Sequence, residues 1–117
     1  MKFLCLIRAE KVMEQMPEAA AAKHFEDYRA FTAAIRQSGH FVGCNRLLPP
    51  KAATTVRVRD GKTLTIDGPF AETKEVLGGY YILDCENLDQ ALEYAAKIPS
   101  AEFGSIEVRP LMSIPGM

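Results

Sequence analysis

The 117 residues suffice for one domain with a hydrophobic core that needs no disulfide or metal staple. A composition of 48% hydrophobic and 25% charged residues is that of an ordinary globular protein and excludes a disordered chain. Fifteen acidic against fourteen basic side chains, net −1, leave no field able to grip a phosphate backbone, so no nucleic-acid partner is expected.

The chain opens on an apolar strand pattern over residues 2–8. Arg8 and Glu10 cut this run too short for a signal peptide, and no run approaches the roughly 20 residues of a membrane span. A cytoplasmic protein with no membrane partner is therefore expected. Pro17 and Glu18 open a long helix, with Pro in a first-turn position and Glu at the positive end of the dipole. It runs to Ser38, where Gly39 supplies a left-handed stop. At roughly 100° per residue, Ala20, His24, Tyr28, Phe31 and Ile35 share its apolar stripe. Phe41 to Leu48 reads as a second strand, ended by Pro49-Pro50.

Thr54–Arg59 and Lys62–Ile66 then form a hairpin around Asp60-Gly61. A three-residue loop with Gly61 in the left-handed position sets Val56 opposite Leu64, which gathers Val56, Val58, Leu64 and Ile66 on one face. Cross-strand pairing of Val56 with Thr65 would refute that register. Gly79–Cys85 is the next strand, apolar on both faces as in the middle of a covered sheet. Asn87 caps a second helix, with Gln90 at the reciprocal position and Leu88, Ala91, Leu92, Ala95 and Ile98 on its inner face. Pro99 stops this helix. Ile106–Arg109 alternates as a last strand closed by Pro110.

This order predicts an α+β, ferredoxin-like fold with an added β-hairpin, two helices covering one face of the sheet. The other face must then be covered by something else. A homodimer through the sheet faces is the expected solution.

Cys5, Cys44 and Cys85 are odd in number, widely spaced and lack a C-x-x-C, so they read as inert thiols rather than a disulfide or zinc framework. The two histidines, sixteen residues apart, are no ligand set, and neither a metal nor another cofactor is expected. His24 has two readings: a core histidine satisfied by a neighbouring polar group, or a general base facing a cleft between helix and sheet. His40 reads as a solvated loop residue. In the run from Asp67 to Glu75, Gly68-Pro69 reverses the chain and Phe70 plugs the core. Asp67, Glu72, Lys74 and Glu75 are candidates for a pocket mouth, and Tyr80 on the following strand for substrate contact. Arg57 and Arg59 suit an anionic substrate. Regular alternation after Ile66 aims Asp67 away from the apolar face, so only the Gly68-Pro69 turn can redirect it towards His24.

Ala53-Thr54-Thr55-Val56-Arg57, the Asp67–Glu75 run, Gly78-Gly79, Leu88-Asp89-Gln90-Ala91 and Gly104–Pro110 together resemble the recurrent blocks of the DGPF, or YCII-related, family. That resemblance covers nearly the full length, as a single domain over residues 1–117, and implies a dimeric α/β barrel. In the wider group a helix-borne histidine and an aspartate are proposed as an active-site dyad. His24 fits the histidine. The aspartate precedes a proline late in the second helix, where this chain has Ile98 before Pro99, leaving Asp67 as the substitute candidate. Two functions follow: a cofactor-independent lyase or isomerase acting on a small organic ligand through His24, or a non-catalytic ligand-binding module of the kind linked to sigma-factor regulation. A pocket that exposes His24 favours the first; a filled interior that seals it favours the second.

Overall fold

The computed structural model of the chain describes residues 1–10 and 15–117. Its elements follow in the order β1 (Lys2–Ala9), α1 (Glu18–Gln37), β2 (Phe41–Arg46), β3 (Thr54–Arg59), β4 (Lys62–Asp67), β5 (Val76–Asp84), α2 (Leu88–Ala95) and β6 (Ser105–Pro110). Short 3₁₀ turns cover Pro50–Ala52 and Pro99–Glu102. The main sheet is antiparallel in the order β2-β5-β1-β6, the ferredoxin-like arrangement, and β3 and β4 form a separate two-stranded arm.

Local chemistry explains most boundaries. Gly39 adopts φ 84°; its N–H reaches the Arg36 carbonyl and that of His40 reaches the Ile35 carbonyl, which closes α1 in a Schellman motif. Asn87 accepts the Gln90 N–H at 2.9 Å, while the Gln90 side chain accepts the Glu86 N–H at 2.8 Å, one residue before the cap itself. Pro17 sits at the N-cap of α1 and contributes no side-chain bond. Helix α2 stops at Ala95, sooner than its apolar pattern suggests, and Ile98 enters the core from the turn that follows.

The core lies between the helices and the sheet face bearing Phe3, Cys5, Ile7, Tyr81 and Leu83, closed by Phe31 and Ile35 of α1 and by Ala91, Ala95 and Ile98. Leu88 and Leu92, expected on the inner face of α2, are both 47% exposed. The small Ala91 and Ala95 let α2 approach the sheet closely, which turns its two leucines to the rim. Alternation leaves Leu4, Leu6, Tyr80 and Ile82 on the opposite, helix-free face, half-buried. Cys5 and Cys85 are buried, and burial pushes the Cys5 thiol up to about 11, as suits an inert core thiol.

The hairpin departs from the sequence expectation. Arg59 pairs with Lys62 and Val56 with Thr65, so the connection is a two-residue Asp60-Gly61 turn, with φ 51° and 73°. Positive φ at both central residues is the type I′ signature, whose twist matches the flanking strands. Val56 and Val58 therefore share a face with Thr63 and Thr65, while Leu64 and Ile66 share the other with Arg57. All four aliphatic residues are exposed, from 45% to 59%. Phe70, expected in the core, is 79% exposed, with the Arg57 guanidinium 5.7 Å from its ring centre. The arm packs chiefly on itself, so no core comes near enough for Phe70 to fill.

Candidate active site

A gap in the main sheet makes the site. Across the helix-covered face, Arg46 of β2 pairs with Gly79 of β5, which in turn pairs with Ile7 of β1. Gly79 places no side chain there, and Ala9 fills little of the next position. A Cβ at Gly79 would stand 2.7 Å from the Asn45 carbonyl, so the close approach of β2 requires glycine. The β1–β5 register shifts beside this residue, a bulge that leaves Gly78 without a partner on β1. The space left over is a cavity of about 240 Å³.

Helix α1 roofs it with His24, Phe25 and Tyr28; Tyr81, Cys44 and Arg46 line the sheet side, and Ser100 closes one wall. His24 is neither sealed in the core nor free in solvent: it is half-buried, its ring 4.9 Å from that of Tyr28 and 5.3 Å from that of Phe103. Its Nε2 lies 3.5 Å from the Ser100 hydroxyl, a long contact, and the Ser100 hydroxyl lies 2.7 Å from the Tyr28 phenol. Burial pushes the His24 ring below the usual histidine range. Asp27 opposes that shift and the Arg46 charge reinforces it. The ring is thus neutral near pH 7 and able to accept a proton.

The aromatic wall is held from behind. The Thr32 hydroxyl donates to the Tyr28 carbonyl at 2.8 Å, so its oxygen accepts from Tyr81 at 2.6 Å. Burial raises the Tyr81 phenol to about 12, which keeps it a neutral donor. The Tyr28 phenol is likewise raised by burial, partly offset by its bonds to Ser100. A second, more open cleft lies on the far side of His24, lined by Glu10, Lys23, Asp27, Glu102 and Phe103 among others. His24 belongs to both linings.

Of the residues singled out in the sequence, His24 and Tyr80 line the cavity, Tyr80 from a strand position whose hydroxyl receives the Asn45 amide at 2.9 Å. Asp67 pairs with Thr54 at the base of the arm, outside both linings, and the structure does not bring it to His24. Gly68 does turn the chain there, with φ 104°, but its N–H is tied to the Ala53 carbonyl and its own carbonyl accepts from Thr55. Arg57 stacks on Phe70, and Glu72 is exposed in the loop. Lys74 reaches Glu10, at 3.3 Å, on the rim of the second cleft. His40 is no simple loop residue: its Nδ1 meets the Asp84 carbonyl at 2.8 Å and its ring lies 4.7 Å from that of Tyr94.

Sequence reasoning missed Ser100, Tyr81 and Arg46 as site residues and read Tyr28 only as stripe. Helical spacing from His24 does identify Tyr28, but nothing local marks Ser100, which lies 76 positions away. Among the described residues no group of three or more His, Cys, Asp or Glu side chains could hold a metal ion, and no helix is long and apolar enough to cross a membrane.

The comparisons agree with this architecture. A protein of Rhizobium meliloti (strain 1021), itself uncharacterized, is 53% identical over 68 residues, which cover 56% of this chain and 55% of that protein. The matched stretch thus spans about half the length of that relative. Among solved structures, the 5-chloro-2-hydroxyhydroquinone dehydrochlorinase TftG of Burkholderia phenoliruptrix AC1100, complexed with 2,5-dihydroxybenzoquinone, superposes with a TM-score of 0.54 at 13% identity. The match covers 96% of this chain and 94% of TftG, and at that identity the likeness is one of fold. The profile of the YCII-related domain matches residues 1–115, and the chain belongs to that family.

Proposed function

We propose that the protein is a small-molecule enzyme, a lyase or isomerase, in which His24 removes a proton from a ligand bound in the cavity beside it. The observation that carries this reading is the placement of a neutral imidazole in the wall of an apolar cavity, rather than sealed within a filled interior. If Tyr28 donates to Ser100 and Ser100 in turn to Nε2, the ring is the Nδ1–H tautomer. A ligand that displaces the long Ser100 contact meets an unprotonated nitrogen. Asp27, which lines the second cleft with His24, favours the imidazolium formed after transfer. Proton transfer of this kind requires no cofactor. The dehydrochlorinase activity of TftG is consistent with such chemistry on this fold, and it comes to this chain only as analogy.

His24→Ala is expected to lower turnover of any substrate found by roughly 10²- to 10⁴-fold while leaving the fold intact. NMR titration of the ring provides an independent check, with a midpoint expected below 6.5. Because the folded-state value is lowered, the ring imposes no penalty above pH 6.5. Stability falls as the pH drops below it, and His24→Gln should flatten that acid-side loss. A midpoint at or above 6.5 would remove the basis for a neutral base.

The same reading takes the working species to be a homodimer joined through the helix-free sheet faces. Two surfaces support it: Leu4, Leu6, Tyr80 and Ile82 on that face, and the arm, which exposes two aliphatic side chains on each of its sides. An isolated two-stranded hairpin is marginal in water, so the arm needs cover on both sides. Light scattering at micromolar concentration should give twice the 12.9 kDa of the chain. A single 12.9 kDa species would end the dimer reading.

A further inference from the structure

We propose that Gly78 fixes the class of ligand: the cavity seats a flat, uncharged ring over this glycine, with a hydrogen-bond donor of the ring turned to His24. The inference rests on the reading of the cavity as the place where His24 meets its ligand, and adds the shape of that ligand. Two glycines stand side by side in β5, for different reasons. Gly79 is required by packing, since a Cβ there would stand 2.7 Å from the Asn45 carbonyl. Gly78 is required by neither packing nor backbone. A Cβ added to it meets nothing within 4 Å among the described residues, and its φ lies outside the left-handed region. Its carbonyl accepts the Leu47 N–H at 2.8 Å, which ties this point of β5 to the chain leaving β2. Glycine inside a strand weakens it, because it loses more entropy on folding and packs nothing. A glycine so placed marks a point where another group approaches the backbone, and Gly78 lines the cavity.

The rest of the lining suits a flat occupant. The Tyr28 and Tyr81 rings lie 5° from parallel, their centres 6.3 Å apart, and give the cavity an aromatic wall. A planar ring stacks on such a wall over its whole face, where a puckered ring of similar size touches it at a few atoms. About 240 Å³ exceeds the roughly 150 Å³ that admits benzene, leaving room for one ring with one or two small substituents. The burial that pushes the His24 ring below its usual range also penalises a charged ligand beside it. An uncharged one escapes that penalty. Ser100 stands 3.5 Å from Nε2, so a donor on the ring that comes closer makes the better hydrogen bond.

The test is calorimetric binding of phenol and cyclohexanol, similar in size and both neutral at pH 7.5, to the intact protein. Phenol is expected to bind saturably, with a dissociation constant on the order of 1 mM or tighter. The puckered cyclohexanol should bind at least tenfold more weakly. Gly78→Val should melt no lower than the parent, because valine suits a strand and meets open space, yet weaken phenol at least tenfold. Gly78→Ala should show part of that loss, and it decides the point if the valine variant does not fold. Gly43→Val is the control: it too adds a side chain to open space within a strand, but away from the cavity, and should leave phenol binding unchanged. No saturable phenol binding, equal affinity for cyclohexanol, or an unchanged phenol affinity in the Gly78 variants would each overturn the seat. So would a fall of Gly78→Val to a 12.9 kDa species from a larger parent in light scattering, since the glycine would then serve a subunit contact. The two readings separate. A His24 midpoint at or above 6.5 beside intact selectivity for phenol would sink the base and spare the seat; lost selectivity beside a low midpoint would do the reverse.

Discussion

Gly104→Ala is expected to destabilise the fold by about 3 kcal/mol, lowering the melting temperature by roughly 10 °C. A Cβ at Gly104 would collide with the Arg8 carbonyl, and would stand 3.0 Å from the Ala9 Cβ and 3.1 Å from its Cα. None of these neighbours can yield easily. The Arg8 and Ala9 contacts belong to β1, a central strand paired on both sides, and Gly104 is itself anchored by its N–H to the Ser100 carbonyl at 2.8 Å. Relief requires moving either β1 or the turn that holds Ser100 against His24, so the effect should reach the site as well as the core. Gly43→Ala is the control: a Cβ there meets nothing within 4 Å, and its effect should stay within about 1 kcal/mol. Thermal unfolding of the two variants side by side decides the point. Equal melting temperatures would show that the turn and β1 can separate without loss.

Ile98→Asp is expected to be still more damaging, by about 4 kcal/mol or more at pH 7, although it restores the carboxylate that the family resemblance places before Pro99. Ile98 is fully buried, in contact with the cluster formed by Phe3, Ile35 and Leu83. A carboxylate there loses the apolar contacts of the isoleucine and finds neither water nor a cation, so its pKa must rise. Protonation is then favoured in the folded state. The variant should be least unstable below the pH at which an unfolded aspartate ionises, and should lose stability as the pH rises through that range. Denaturant midpoints at pH 4 and pH 7 measure this, and a variant as stable at pH 7 as the parent would mean that the carboxylate does find a partner. In this chain the neighbour of His24 is instead Ser100, two positions on, where the 3₁₀ turn after Pro99 aims a hydroxyl at the imidazole. A neutral donor replaces the charge. It leaves the histidine's basicity to burial, to the opposing charge of Asp27 and to Arg46.

Much of this architecture is determined by signals that act within a few residues. The Schellman closure at Gly39, the Asn87–Gln90 cap and the breaks at Pro49 and Pro99 each satisfy or remove a local hydrogen bond, so each is legible from a short window. Alternation along β1 and β5 and the helical stripe through His24 are equally local, because side-chain direction follows backbone period. From these the βαββαβ order, the two-helix layer and the inward turn of His24 follow. The hairpin register was decided otherwise. Its loop length could be read two ways, and the type I′ geometry of Asp60-Gly61 won over the tidier apolar face, because nothing in this chain's own core is there to reward that face. For the same reason Phe70 is left outside. The site itself depends on distance in space rather than in sequence. Ser100 meets His24 because the 3₁₀ turn that carries it packs on α1, and Arg46 faces it because β2, β5 and β1 lie side by side with a glycine between them. The cavity exists because a side chain is missing at Gly79, an absence whose meaning appears only once its neighbours are in place.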